Sequence, residues 1–313
     1  MRSSLECEQM VKVAIIEPRR VTPLTLLQRS VIGVALLLAV LLLTGCSNLR
    51  LAYGQGPTLA YWWLDRYADF DETQKPRARA AVDQWFAWHR RQQLAEDAAL
   101  LDQIAQEALK DASGAQVCQW VTVYERKRDL YLTQFAPAVA DIAASLGPEN
   151  LKQIEARFAK VNEKWRDEHV QGDLSEREAE AVKRVLDRAE LVYGRLDRAQ
   201  RQFITQAVRQ SPLDPERTFA ERLADQREAL AVLQQLGQRT LSGPQRQELA
   251  RSGLLHLAQA SDEAQRQLRD RLYRYQCQFT AELHNRTTPE QRRHANERLH
   301  GWAQDLRSFL GTP

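Results

Sequence analysis

The chain has few of the signatures by which enzymes and nucleic-acid-binding proteins declare themselves. Its 313 residues include only four cysteines and six histidines. No HExxH, Gly-rich phosphate loop, GxSxG elbow or SxxK occurs. Zinc-protease, nucleotide and serine-hydrolase chemistry therefore lack their usual carriers. No two cysteines form CxxC, which argues against a redox-active or zinc-binding role. No block of five or six basic residues exists, so the overall pI of 8.7 is not a nucleic-acid footprint. From residue 58 onward, β-branched runs longer than Val121-Thr122-Val123 and Asn-Gly hairpin signals are absent, which disfavours a β-rich fold. The longest apolar run, Val31–Leu43, has 13 residues, short of the roughly 20 that a membrane span needs.

That run follows arginines at 19, 20 and 29 and ends in Leu43-Thr44-Gly45-Cys46. A basic n-region, a short apolar h-region and small residues before the cut describe a secretory signal peptide. The tetrad resembles the lipobox of bacterial lipoproteins. The resemblance implies that residues 1–45 are removed and that Cys46 becomes a lipidated N-terminus. Serine at 47 then favours the outer membrane under the enterobacterial sorting rule. Thirty residues precede Val31, long for an n-region, so Met10 or a codon nearer Arg29 is an alternative start. Removing 1–45 takes away five basic and three acidic residues and leaves the mature chain near +1. Cys7 departs with it, leaving Cys118 and Cys277. In an oxidising compartment a disulfide between them is favoured over two separate buried thiols. It would contribute about 4–5 kcal/mol in the chain-entropy model.

Ala, Leu, Gln, Glu and Arg dominate the rest, with charges alternating in sign, as on solvated helix faces. Apolar residues recur at three- and four-residue spacing: Val82, Trp85, Phe86 and His89, then Leu94, Leu101 and Ile104. That face predicts one long helix over 72–111. Trp120, Tyr124, Tyr131 and Phe135 mark another segment, and Leu151, Ile154, Phe158, Val161 and Trp165 the next. The expected fold is all-α, a multi-helix bundle or an elongated array of amphipathic helices. Six breaks read as capping boxes: Asp71–Gln74, Ser113–Gln116, Ser175–Glu178, Asp197–Gln200, Ser242–Gln245 and Thr288–Gln291. In each, a Ser, Thr or Asp oxygen accepts from the first helical turn and the Gln or Glu reaches back to the cap amide. Leu146-Gly147-Pro148-Glu149-Asn150 is a degenerate copy. Phe70, Leu174, Leu196 and Leu241 precede caps and read as hydrophobic staples. The spacing is too irregular for a solenoid of fixed period. The expected organisation is a signal peptide over 1–45, a linker over 46–57, a helical bundle over 58–211 and a further helical part over 212–313. Pro212 and Pro215 mark that last boundary, either between two bundles or as a helix–helix loop.

The histidines (89, 169, 256, 284, 294 and 300) show no ligand spacing and read as lone surface or half-buried residues. Arg90-Arg91 and Arg292-Arg293 read as solvated faces in preference to contacts with lipid headgroups or another acidic surface. Trp62 and Trp63 lie 15–20 residues from Cys46 and read either as core or as a membrane-interface cluster. The core reading is favoured.

Residues 46–53 (Cys-Ser-Asn-Leu-Arg-Leu-Ala-Tyr), Trp63-Leu64-Asp65-Arg66-Tyr67 and Asp71–Gln74 resemble the start of a proteobacterial lipoprotein family classed only as a domain of unknown function. Phe70-Asp71 stands where Leu-Thr is typical of that family. The repeated cap also resembles the Leu-Thr-x-x-Gln motif of Spy/CpxP-type periplasmic chaperones, small helical proteins that shelter unfolded clients on a concave surface. These resemblances imply an envelope lipoprotein and assign no activity. The expected function is non-enzymatic: a protein-interaction or chaperone-like protein anchored through Cys46, facing the periplasm, with an envelope protein as partner. The alternatives are an assembly factor for an envelope complex and, third, a cryptic hydrolase. No cofactor, metal, nucleic acid or small-molecule substrate is expected.

Overall fold

The computed structural model describes residues 48–259 and 263–311. The Val31–Leu43 run, the tetrad ending in Cys46, and Ser47 lie outside the described residues. Among those described there are twelve α-helices and no strands, so the chain is all-α. In order they are α1 (Asn48–Gly54), α2 (Gly56–Ala68), α3 (Gln74–Gln92), α4 (Leu94–Glu107), α5 (Gly114–Ala144) and α6 (Pro148–His169). There follow α7 (Leu174–Tyr193), α8 (Arg198–Gln210), α9 (Pro215–Leu236), α10 (Gly243–Leu257), α11 (Glu263–Asn285) and α12 (Pro289–Arg307).

Helix α5 is the longest, with 31 residues, and packs against α3, α9, α10 and α11. Its contact face is a row of small residues, Ala136, Ala140 and Ala143, which meet Leu236 and Ala250. Small side chains let helix axes approach closely. A Cβ added to Gly253 of α10 would lie 2.9 Å from Val232 of α9, so only glycine fits there without movement. The same device joins α4 to α12, where Ala98, Ala105, Ala295 and Ala303 are fully buried. Residues 48 onward form one compact unit. Pro215 opens α9, capped by Asp214, so the proline-marked break is a short loop whose following helices pack on α5 and α6.

Four predicted capping boxes form with both reciprocal bonds: Ser113/Gln116, Asp197/Gln200, Ser242/Gln245 and Thr288/Gln291. At Asp71 the carboxylate accepts from the Gln74 amide at 2.9 Å, and Gln74 Oε1 accepts from the Asp71 amide at 3.0 Å. The box at Ser175 does not form. Helix α7 starts two residues earlier than that box implies, at Leu174, and Asp173 accepts from the Glu176 amide. An anionic carboxylate at a helix N-terminus is a stronger acceptor than a hydroxyl, and Ser175 instead donates to Asp173. Leu174 is accordingly no staple but an exposed first-turn residue, whereas Phe70 and Leu196 are buried.

Two further expectations are corrected. The stretch 72–111 is two helices, α3 and α4, broken at Gln93 with φ −117 and ψ −32. Residues 48–57 are largely helical, as α1 and the start of α2. Cys118 in α5 and Cys277 in α11 are joined by a disulfide with Cα atoms 5.4 Å apart, which ties the two helices covalently.

Candidate interaction surfaces

The capping boxes do more than start helices. Four of the N-terminal amide side chains pair across loops into two clasps. In the first, Gln74 Nε2 donates to Ser145 O at 2.6 Å and to Asn150 Oδ1 at 3.1 Å. Asn150 Nδ2 donates back to Ala68 O and to Gln74 Oε1, and Asn150 Oδ1 accepts from the Gly147 amide. In the second, Gln200 Nε2 donates to Arg286 O and to Gln291 Oε1, at 2.9 and 2.7 Å. Gln291 Nε2 returns the pair to Gln200 Oε1 and reaches Arg195 O, at 2.9 Å each. Every amide atom of these four side chains has a partner, the condition under which buried amides rigidify a fold instead of weakening it. The degenerate copy at Gly147–Asn150 is thus the partner of the Asp71–Gln74 box.

A buried polar network sits at the α3–α4 break. His89 Nε2 donates to Asp97 Oδ2 at 3.1 Å, and His89 Nδ1 meets the Tyr53 hydroxyl at 2.8 Å. The Tyr131 hydroxyl donates to both Asp97 oxygens, and Lys127 lies 3.2 Å from the same carboxylate. Burial opposes charge on Asp97, but the bonds from His89 and Tyr131 and the charge of Lys127 outweigh it and hold its carboxyl below the ordinary range. Burial, then the Asp97 carboxylate, push Tyr131 far up. Trp85 stacks on His89 with centroids 5.2 Å apart and closes the network. His284 forms a second such site: Nε2 donates to Lys110 O at 2.7 Å and Nδ1 accepts from Tyr193. Burial lowers the His284 pKa and raises that of Tyr193 to about 12. His89 and His284 are therefore buried and networked, against the expectation of lone surface or half-buried residues. A pattern-based reading of α3 and α11 shows only their helical spacing, since their partners come from distant segments. Arg292 is likewise no solvated cation but pairs with Asp111. Arg90 contributes a hydrogen bond to Tyr53.

A groove of about 700 Å³ lies between α6 and α9. Phe158, Phe219, Leu223 and Leu230 form its floor, and Glu155, Glu163, Arg166, Asp167 and Arg227 its rim. Rings bridge the two walls at one end: Trp165 of α6 stacks on Phe219 of α9 at 5.3 Å, and the Arg166 guanidinium lies 5.0 Å from the Phe219 ring centre. Beside them Asn162 bonds to Gln226 and Arg222, locking α6 to α9. Trp62 and Trp63 lie outside the core, with 54% and 59% of their surface exposed, which overturns the core reading. Among the described residues no group of three or more His, Cys, Asp or Glu could hold a metal ion. Nor is any described helix long and apolar enough to cross a membrane.

Residues 66–243, from the end of α2 to the start of α10, match a family of unknown function, DUF6279. The chain belongs to this family. The match spans both walls of the groove and the first clasp, so these are features of the DUF6279 region itself. Comparison with curated proteins and with solved structures gives no match.

Proposed function

We propose that this DUF6279 protein is a lipid-anchored, non-enzymatic interaction protein of the bacterial envelope, held by Cys46 and facing the periplasm, with Ser47 favouring the outer membrane. On this reading it binds a segment of a protein partner along the α6–α9 groove. The groove carries the proposal: an apolar floor bounded by a rim of both charge signs suits one amphipathic segment, with the apolar floor supplying affinity and the rim its register. A narrow floor of four apolar side chains favours one partner over the many unfolded clients of a chaperone, whose binding calls for a wide exposed apolar patch. The Tyr53–His89–Asp97 array is read as structural, because its hydrogen-bonding atoms are committed to one another beneath Trp85.

In-cell photo-crosslinking from position 223 of the full chain, followed by mass spectrometry, tests the groove. A single stoichiometric partner, lost when Phe158→Glu is added, is the expected outcome. Crosslinks to many unrelated proteins would move the reading to a chaperone, and none at all would contradict it.

A further inference from the structure

Helix α2 presents two faces of different purpose. Tyr61 and Ala68 join the core beside Phe70, Ala78 and Ile154, with Leu64 packed against them. Leu59, Trp62, Trp63 and Arg66 recur at i, i+3, i+4 and i+7, and all four are exposed. These spacings lie on one helical face. The preceding helix α1 packs the half-buried Leu49 and Tyr53 against Leu94 and Ala303 and leaves Arg50 and Leu51 exposed. Solvent-exposed tryptophans beside leucine and arginine form the composition of a membrane-water interface, where amphipathic rings settle at headgroup depth.

We infer that the Leu59–Trp62–Trp63–Arg66 face of α2 is a bilayer-docking surface, which inserts its rings at the lipid interface while Arg66 meets headgroup phosphates. The inference rests on the anchoring reading of Cys46, and chain length ties the two together. Asn48 begins α1 two residues after Cys46. Extended chain covers about 3.6 Å per residue and helix about 1.5 Å. Trp62 therefore lies on the order of 30 Å or less from the anchored cysteine. Lipidation and an apolar, basic helix face together form the two-signal attachment that gives stable membrane residence. With α2 seated on the bilayer, the protein is fixed in orientation as well as in place.

The test uses the full lipidated chain in phosphatidylethanolamine/phosphatidylglycerol vesicles whose acyl chains carry bromine, a short-range tryptophan quencher. Wild-type emission should be quenched, and Trp62→Ser/Trp63→Ser should fall to the level of the five remaining tryptophans, with thermal unfolding unchanged. Leu59→Asp should give the same loss of quenching with both rings kept. Equal quenching in wild type and double variant, with Cys46 acylated by mass spectrometry, overturns the proposal. So does a co-purifying protein that shields Trp62 and Trp63 from the quencher. An unacylated Cys46 overturns the anchoring reading separately. The same vesicle assay on that unacylated chain then decides the face alone: quenching upholds it and its absence refutes it.

Discussion

Replacing Gln200 by leucine separates a clasp from an ordinary helix cap. The side chain is almost fully buried and leucine is close to it in size, so no large cavity follows. Four hydrogen bonds disappear: from the Asp197 amide, from Gln291 Nε2, and from Gln200 Nε2 to Arg286 O and Gln291 Oε1. Gln291 keeps the Thr288 amide and Arg195 O, so the groups left wanting are the Asp197 N–H and the Arg286 carbonyl. Asp197 and Arg286 are exposed residues whose bonds to Gln200 are part-buried, so each group left unpartnered costs toward the lower end of about 1–3 kcal/mol, and added apolar burial recovers part of it. The expected loss is about 2 kcal/mol, a fall in Tm of roughly 4–8 °C for a chain of this size. Gln116→Leu is the internal control, because its capping box has the same local bonds but is exposed; it should cost about 1 kcal/mol or less. Urea titration followed by circular dichroism measures both. Adding Gln291→Leu to Gln200→Leu should cost less than the sum of the single changes, since the shared amide pair is already gone. Equal losses for Gln200→Leu and Gln116→Leu, with full additivity in the double variant, would refute the clasp.

Three further outcomes follow from named contacts. Cys118→Ala/Cys277→Ala opens a loop of 159 residues and should lower stability by about 5 kcal/mol in the chain-entropy model; reductant should lower the wild-type Tm and leave the variant unaffected. His284 has a folded pKa below its ordinary value because it is buried, so the unfolded chain binds the extra proton first. Stability should fall as pH drops below about 6.5, and His284→Gln should flatten the Tm profile between pH 7.5 and 5. Asp97 has a lowered folded pKa, so its contribution is complete above the ordinary carboxylate value and disappears as pH falls below about 4. Asp97→Asn should cost about 2 kcal/mol at pH 7 and much less at pH 3, measured by denaturant titration at both.

The helical class and most helix starts were legible because they rest on local chemistry. Capping boxes lie within four residues, and amphipathic spacing within two turns. The same locality explains the misses. At α7 two acceptors compete two residues apart, Asp173 and Ser175, and each has a Glu three positions on, Glu176 and Glu178, so the motif alone does not choose between them. The α3–α4 break at Gln93 involves neither proline nor glycine, and the network it serves draws on Tyr53, Lys127 and Tyr131 from other helices. The clasps were visible only as single boxes, since nothing local pairs Gln200 with a residue 91 positions away. The exposure of Trp62 and Trp63 is not legible in the sequence because α2 carries apolar residues on two sides, and only packing shows that the Tyr61 side faces inward. The groove floor had appeared as apolar spacing on α6, without the α9 wall that makes it a groove.

Envelope anchoring turns on the fate of Cys46. Intact-mass spectrometry of the protein extracted from membranes of its native host measures that directly. The expected product is a chain that begins at Cys46 and carries a thioether-linked diacylglyceryl group. A chain recovered with residues 1–45 attached, or with an unmodified Cys46, would contradict that anchoring.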